Sequence, residues 1–285
     1  MAHDPRDSVL VTAQALAAEC AGAAPPVVLS VHSAGAEGLA AYASQPRIAG
    51  AVDVDLPSEL AGPGGGTRGS RPLPTIADLE RNARRWGIHQ GARVVVYDQD
   101  RLLQAARAWW LLRWAGIADV RMLDGAFPAW RAAGLPVVQQ APRPVPGDVV
   151  LTPGHMPELD ADAALAIARQ GVLLDSRVRP NYIGGAVPAG MAPRGHIPGA
   201  LSAPAADNLT EAGTFADGAT LRHLYEALGA DGTRPVGVSC GAGVSAAHNV
   251  AALASIGIAA AMYVGSWSAW SADPARPVVI GGRPG

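Results

Sequence analysis

The sequence predicts an α/β protein made of two tandem copies of one unit, each a mainly parallel sheet with helices on both faces. Three observations predict it. Short aliphatic runs alternate with helix-period segments along the chain, four blocks of sequence recur in the same order in both halves, and a Pro-rich stretch from Pro136 to Gly147 separates the halves. A chain of 285 residues, 49% of them hydrophobic, is long enough for two cores.

Taken in order, Thr12 reads as the N-cap of a helix running to Glu19, and Val27 to Val31 as a buried strand. Pro63 to Gly69 is Gly-rich and reads as a surface loop running between domains. Ile76 to Trp86 has an amphipathic helical pattern, Val94 to Tyr97 is a second buried strand, and Leu103 to Gly116 is helical. The stretch from Ser245 to Val264 is apolar enough to suggest a membrane span. His248, Asn249, Ser255 and Gly257 interrupt it, so a buried helix, a Gly stop and a strand are expected instead.

The recurring blocks are specific. Val27-Val28-Leu29-Ser30 matches Val172-Leu173-Leu174-Asp175, and Arg47-Ile48-Ala49-Gly50-Ala51 matches the run from Gly195 to Ala200. Arg93 to Asp98 matches Pro235 to Cys240, and Gly125 to Trp130 matches Gly265 to Trp270. Duplication and divergence explain a constant order with near-constant spacing. The expected boundaries are a first domain over 1–135, a linker over 136–150 and a second domain over 151–285.

Composition removes several function classes. A formal net charge of −2 gives no electrostatic footprint for nucleic acid or an anionic membrane, so neither is an expected partner. All 22 basic residues are Arg, which excludes a Schiff-base or P-loop lysine. The two cysteines, Cys20 and Cys240, lie in different halves without metal-ligand spacing, so no disulfide framework, metal or other cofactor is expected. Asp4 and Asp7 stand where a secretory signal would carry basic charge, and an intracellular, cytoplasmic setting is expected.

Cys240 is the candidate catalytic residue. It follows an apolar strand and precedes a helical pattern, within the turn Cys240-Gly241-Ala242-Gly243-Val244-Ser245. Such a turn can point consecutive backbone N–H groups at one sulfur, and the positive end of the following helix adds to a field that favours the thiolate. Gly241 and Gly243 are expected to let the backbone curl without Cβ clashes, with Val244 and Ser245 starting the helix. In parallel sheets, ligands gather beyond the carboxyl ends of the strands. Asp98 occupies the matching place in the first unit, and a carboxylate cannot replace a thiolate nucleophile, so only the second unit is expected to be catalytic by this chemistry.

Read together, these motifs resemble the tandem-domain rhodaneses, the thiosulfate and 3-mercaptopyruvate sulfurtransferases. The residues carrying the resemblance are Leu174-Asp175-Ser176-Arg177, the run from Gly195 to Ala200, the Cys240 turn and the run from Gly265 to Trp270. Val96-Tyr97-Asp98, Ala106 to Trp110 and Leu123-Asp124-Gly125 add to it in the first half. The resemblance covers about Val9 to about Val279. It implies a ping-pong reaction in which Cys240 takes a sulfur from thiosulfate or 3-mercaptopyruvate and passes it to a thiol, a thioredoxin-like protein or cyanide. Asp175 and Arg177 lie at the end of a buried strand, where an unpaired charge would be costly, so they are expected to pair with each other or with the loop and to support the site.

The chain departs from the family pattern in donor recognition. Its Cys-Gly-x-Gly-Val-x loop is similar to the mercaptopyruvate type, yet Ala242, Arg71 and Pro57 stand where those enzymes carry a Ser, a His and an Asp. The family's two substrate arginines align with Asn181 and with Ala189 or Gly190. Arg179 and Arg194 are near enough to bind the donor anion instead. His196, before Ile197-Pro198-Gly199, reads as structural, and the tryptophans read as core or domain-interface residues, with Trp267 able to line the cleft. A cysteine phosphatase would need an Arg where Ala246 stands. A sulfur carrier or regulatory interaction module without rapid turnover is the other reading.

Overall fold

Strands form where β-branched and aliphatic residues run together, because a parallel strand covered on both faces is apolar on both. The computed structural model describes residues 4–34, 40, 42–140, 142–185 and 194–285. It divides into two compact units. The first contains Met1–Gly62, Pro74–Met156 and Thr210–Phe215; the second contains Pro63–Leu73, Pro157–Leu209 and Ala216–Gly285.

In chain order, the first unit holds β1 (Leu10–Val11), α1 (Ala13–Cys20), β2 (Val27–His32), β3 (Arg47–Ile48), β4 (Val52–Asp55) and α2 (Leu56–Glu59). It continues with α3 (Ile76–Arg85), β5 (Val94–Tyr97), α4 (Leu103–Trp114), β6 (Val120–Leu123), α5 (Ala126–Ala132) and β7 (Val137–Val138). The second holds β8 (Glu158–Leu159), α6 (Ala161–Gln170), β9 (Val172–Asp175), α7 (Arg179–Ile183), β10 (Leu201–Ser202) and α8 (Gly218–Glu226). There follow β11 (Val236–Ser239), α9 (Ser245–Ser255), β12 (Ala261–Tyr263) and α10 (Ser266–Trp270).

The first sheet runs β1-β6-β5-β2-β4 and the second β8-β12-β11-β9-β10, with every pairing parallel. Repeat partners therefore take the same place in each sheet, β5 with β11 and β2 with β9. The central strands β5 and β11 are wholly buried, and each delivers its next residue, Asp98 or Cys240, to the carboxyl edge.

Caps and stops fall where the chemistry requires. Thr12 Oγ1 accepts from the Ala15 amide at the start of α1, and Asp160 and Asp217 do the same for α6 and α8. The Ser245 to Val264 run resolves into α9, Gly257 at φ 79° and β12. No helix among the described residues is long and apolar enough to cross a membrane. Two tryptophans repeat one device: Trp130 Nε1 donates to Pro136 O and Trp270 Nε1 to Pro277 O, each at 2.9 Å. Pro63–Leu73 is part of the second unit, where the Ser70 amide donates to Ser268 Oγ at 3.0 Å.

Candidate functional site

Cys240 is 1% exposed and sits between the end of β11 and the N-terminus of α9. The first-turn amides of α9 have no carbonyl partner within their own helix, and Gly243 at φ 71° turns the chain to bring that end round. Gly241 behaves differently from expectation. Its φ is outside the left-handed region and a Cβ there would meet no atom within 4 Å, so this glycine leaves space open rather than relieving a clash. Val244 precedes the helix with φ −96° and ψ −65°, and Ser245 is its first residue.

The loop from Tyr263 to Ser268 closes over the cysteine backbone. The Cys240 amide donates to Ser266 Oγ at 3.1 Å, while Ser266 Oγ donates to Tyr263 O at 2.8 Å and lies 3.8 Å from Cys240 Sγ. The Trp267 amide donates to Cys240 O at 2.8 Å and the Ser268 amide to Gly241 O at 2.9 Å. Ser266 holds φ at 51°, which costs a non-glycine residue about 1–2 kcal/mol. Sequence reasoning missed this residue. The signal was a paired difference between the repeats: where Cys240 replaces Asp98, Ser266 replaces Ala126, and Ala126 keeps the same backbone at φ 54°.

In the first unit the matching position is filled by a carboxyl group. Asp98 Oδ1 accepts from the Asp100 and Leu102 amides at 3.1 and 3.0 Å, and Oδ2 from the Gln104 and Ala105 amides at 2.9 and 3.2 Å. Burial pushes this carboxyl up to about 7, with the four amides pulling the other way. The two turns differ in backbone at Leu102 and Val244, φ 61° against −96°, so the donors do not correspond one to one.

Asp175 and Arg177 pair as their burial demands. Arg177 Nε donates to Asp175 Oδ1 at 2.9 Å, and its Nη2 donates to Asp175 Oδ2 and to Gly195 O, both at 2.5 Å. The guanidinium also lies 4.6 Å from the centre of the Trp267 ring. One buried cation thus links the end of β9, the Gly195 loop and the loop that closes over Cys240. His196 is structural: Nδ1 lies 2.9 Å from Tyr182 O, Nε2 lies 3.0 Å from Arg283 O, and the ring stacks on Tyr182.

Arg179 is the exposed first residue of α7, and Arg194 is half-buried beside Gly195; neither makes an ion pair with another described residue. Asn181 lies within α7, where its carbonyl accepts from the Gly195 amide. Ala189 and Gly190 lie outside the described residues. Among the described residues no three His, Cys, Asp or Glu side chains could hold a metal ion. A cavity of about 510 Å³ on the second unit has Arg68, Asp160, Asp162 and Arg276 in its lining, but Cys240 is not part of it.

Two parallel α/β repeats, one presenting a thiol and the other a carboxylate at the same strand end, define a duplicated domain with a single cysteine centre. The chain belongs to the Rhodanese-like domain family, whose model matches residues 21–133 and 160–273. SseB of Mycobacterium tuberculosis, whose name provisionally assigns it thiosulfate sulfurtransferase activity, is 43% identical over 278 residues, 96% of this chain and 97% of that protein. The 3-mercaptopyruvate sulfurtransferase of Escherichia coli is 32% identical over 224 residues, 72% of this chain and 74% of that one. The solved structure of the Leishmania major 3-mercaptopyruvate sulfurtransferase shares the fold at a TM-score of 0.78 and 24% identity, covering 93% of this chain and 74% of that one.

Proposed function

We propose that this chain is a sulfurtransferase that carries a sulfane sulfur on Cys240. The observation that supports it most is the placement of one thiol at the carboxyl end of β11 and the amino end of α9, tied to Ser266, where the other repeat holds a carboxyl group on four amides. Cys240 thiolate attacks the outer sulfur of thiosulfate, its S–S bond breaks and sulfite leaves with the electron pair. With 3-mercaptopyruvate the C–S bond breaks and the departing carbanion takes a proton to become pyruvate. An acceptor thiolate or cyanide then attacks the sulfane sulfur and releases Cys240 thiolate.

The Gly241, Ala242, Gly243, Val244 and Ser245 turn forms the cradle for both anions. Arg179 and Arg194 bind the donor's sulfonate or carboxylate, and Asp175 with Arg177 holds the surrounding loops. A cysteine that is 1% exposed favours small donors. Ala242, Arg71 and Pro57 remove the Ser, His and Asp of the mercaptopyruvate enzymes, which favours thiosulfate. Both cysteines are free, which suits a reducing, cytoplasmic setting.

Intact-mass measurement after incubation with each donor tests the reading. One added sulfur on the wild type and none on Cys240→Ser is expected; thiosulfate turnover surviving that substitution overturns the assignment. Rapid multiple turnover supports the enzyme, and stoichiometric loading that discharges only onto a protein supports a carrier. Arg179→Ala and Arg194→Ala should raise donor KM about fivefold or more.

A further inference from the structure

The cavity of about 510 Å³ on the second unit does not include Cys240, yet it is built like a ligand site. Sites for small molecules run from about 300 to 1,000 Å³ and combine an apolar wall with a few convergent polar groups. Leu73, Leu159, Val264 and Ala269 supply the apolar wall. Three stretches of the unit bring it together: the loop that ends at Leu73, the start of α6, and the chain from the end of β12 through α10. The loop is held in place, since the Gly65 amide donates to Gly69 O at 2.8 Å and the Ser70 amide to Ser268 Oγ at 3.0 Å.

Tyr263 is the buried polar group of this wall. The residue is 4% exposed, and its hydroxyl makes no hydrogen bond with a described residue. Burial pushes the phenol up to about 12, with Arg276 pulling the other way and Asp160, Asp162 and Asp273 adding to the rise. All four of these charged residues also line the cavity, so the hydroxyl is directed at the space they enclose. It keeps its proton at neutral pH and can donate to a ligand there.

Pairing within the wall leaves two charges over. Arg276 Nη1 donates to Asp162 Oδ1 at 2.9 Å, its Nε lies 3.5 Å from Asp273 Oδ2, and its guanidinium lies 4.8 Å from the centre of the Trp270 ring. Arg68 makes no ion pair and no side-chain hydrogen bond among the described residues. Asp160 makes no ion pair among them either; its Oδ1 accepts the Ala163 amide at 2.8 Å as the cap of α6, which leaves Oδ2 open. One guanidinium and one carboxylate therefore border the same cavity without meeting each other.

We propose that this cavity is a second binding site of the chain and takes a small zwitterionic α-amino acid with an apolar side chain. Arg68 and the Tyr263 hydroxyl hold its carboxylate, Asp160 holds its ammonium group, and its side chain lies along Leu73, Leu159 and Val264. The leftover charges select the class. A plain carboxylate would leave Asp160 facing an anion, and a plain amine would leave Arg68 facing a cation. The site does not depend on the chemistry at Cys240.

Titration calorimetry of the full chain with L-leucine tests this, beside two probes of the same shape: 4-methylpentanoate, which lacks the ammonium group, and 3-methylbutylamine, which lacks the carboxylate. L-leucine should bind with a Kd below about 1 mM, and each analogue at least about tenfold more weakly. Arg68→Ala should weaken L-leucine about tenfold without weakening 3-methylbutylamine. Asp160→Asn, which keeps a capping side chain on α6, should weaken L-leucine about tenfold without weakening 4-methylpentanoate. Tyr263→Phe should weaken L-leucine about threefold or more. Saturating thiosulfate, added to Cys240→Ser so that no turnover occurs, should leave the L-leucine Kd within about twofold. An L-leucine Kd above about 1 mM, an analogue that matches L-leucine, an unchanged Kd in any of the three cavity variants, charge variants that weaken all three probes alike, or displacement of L-leucine by thiosulfate overturns the proposal.

Discussion

Ser266 Oγ accepts the Cys240 amide proton at 3.1 Å and lies 3.8 Å from the Cys240 sulfur. The contact spans 26 residues and joins the closing loop to the nucleophile's own backbone. Because Ser266 Oγ gives its single proton to Tyr263 O at 2.8 Å, its orientation is fixed and a lone pair faces the amide. Removing the hydroxyl leaves a buried N–H without its acceptor, which costs about 1–3 kcal/mol.

Ser266→Ala is accordingly expected to fold, since Ala126 holds the same φ in the other repeat, but with lower stability in urea and a rate of persulfide formation reduced about tenfold. Ser266→Gly separates the two effects. It removes the hydroxyl while relieving the positive φ, so it should unfold at higher denaturant than Ser266→Ala yet load sulfur no faster. A Ser266→Ala protein that loads at the wild-type rate would show that the hydroxyl does not position the thiol.

Asp98 predicts a pH dependence of stability in the first unit. Its folded carboxyl titrates near 7 because burial outweighs the four amide donors, whereas in the unfolded chain it titrates near 4. The folded state thus binds the proton more tightly. The stability this gives is fully present below about pH 4 and is lost as pH rises through about 7, by at most on the order of 4 kcal/mol. Urea unfolding of wild type and Asp98→Asn at intervals from pH 4 to 8 checks this: the wild type should lose stability relative to the variant as pH rises. Parallel curves would mean that the carboxyl titrates alike in both states.

What the sequence made legible depends on how local the cause was. Val94 to Tyr97 is a strand with the expected bounds because four apolar residues between Arg93 and Asp98 suffice to define a buried parallel strand, and the apolar strand expected before Cys240 is Val236 to Ser239. The split of Ser245 to Val264 was legible through Gly257, and the Asp175 and Arg177 pairing through the cost of burying either alone. The Asp98 amide cage was not, since it relies on Arg101 and Leu102 at φ 60° and 61°, conformations that their propensities disfavour. The role of Gly241 was misread because the turn's curvature resides in Gly243. Ser266 and the Arg177 stack on Trp267 are long-range contacts, and a single chain offers only the comparison of its own two halves to reveal them.

The Arg177 and Asp175 pair should show strong non-additivity. Arg177→Ala leaves a buried carboxylate with no cation, at a cost of about 3–5 kcal/mol, and also frees Gly195 O and the Trp267 ring. Replacing both members by apolar residues, as in Asp175→Leu with Arg177→Met, should cost less than the sum of the two single changes. A double-mutant cycle from urea midpoints measures the coupling, expected at about 2 kcal/mol or more. Additive losses would mean that Arg177 acts through Gly195 and Trp267 alone.

Gly69 offers a way to disturb the cysteine centre without touching it. At φ 80° it is in the left-handed region, and a Cβ there would lie 2.8 Å from Gly265 O, 3.0 Å from Ser268 Oγ and 3.4 Å from Ala269 Cβ. The Gly265 carbonyl is backbone and cannot swing aside as a flexible side chain would, so Gly69→Ala must push either Pro63–Leu73 or the Gly265 to Ser268 loop. That loop carries Ser266 and donates from Trp267 to Cys240 O. Stability should fall by about 1–3 kcal/mol. Sulfur loading on Cys240 should slow in step with Ser266→Ala, and Gly69→Ala combined with Ser266→Ala should slow it little further, because both act through one hydrogen bond. Multiplicative rate losses in the double variant would place the effect of Gly69 elsewhere.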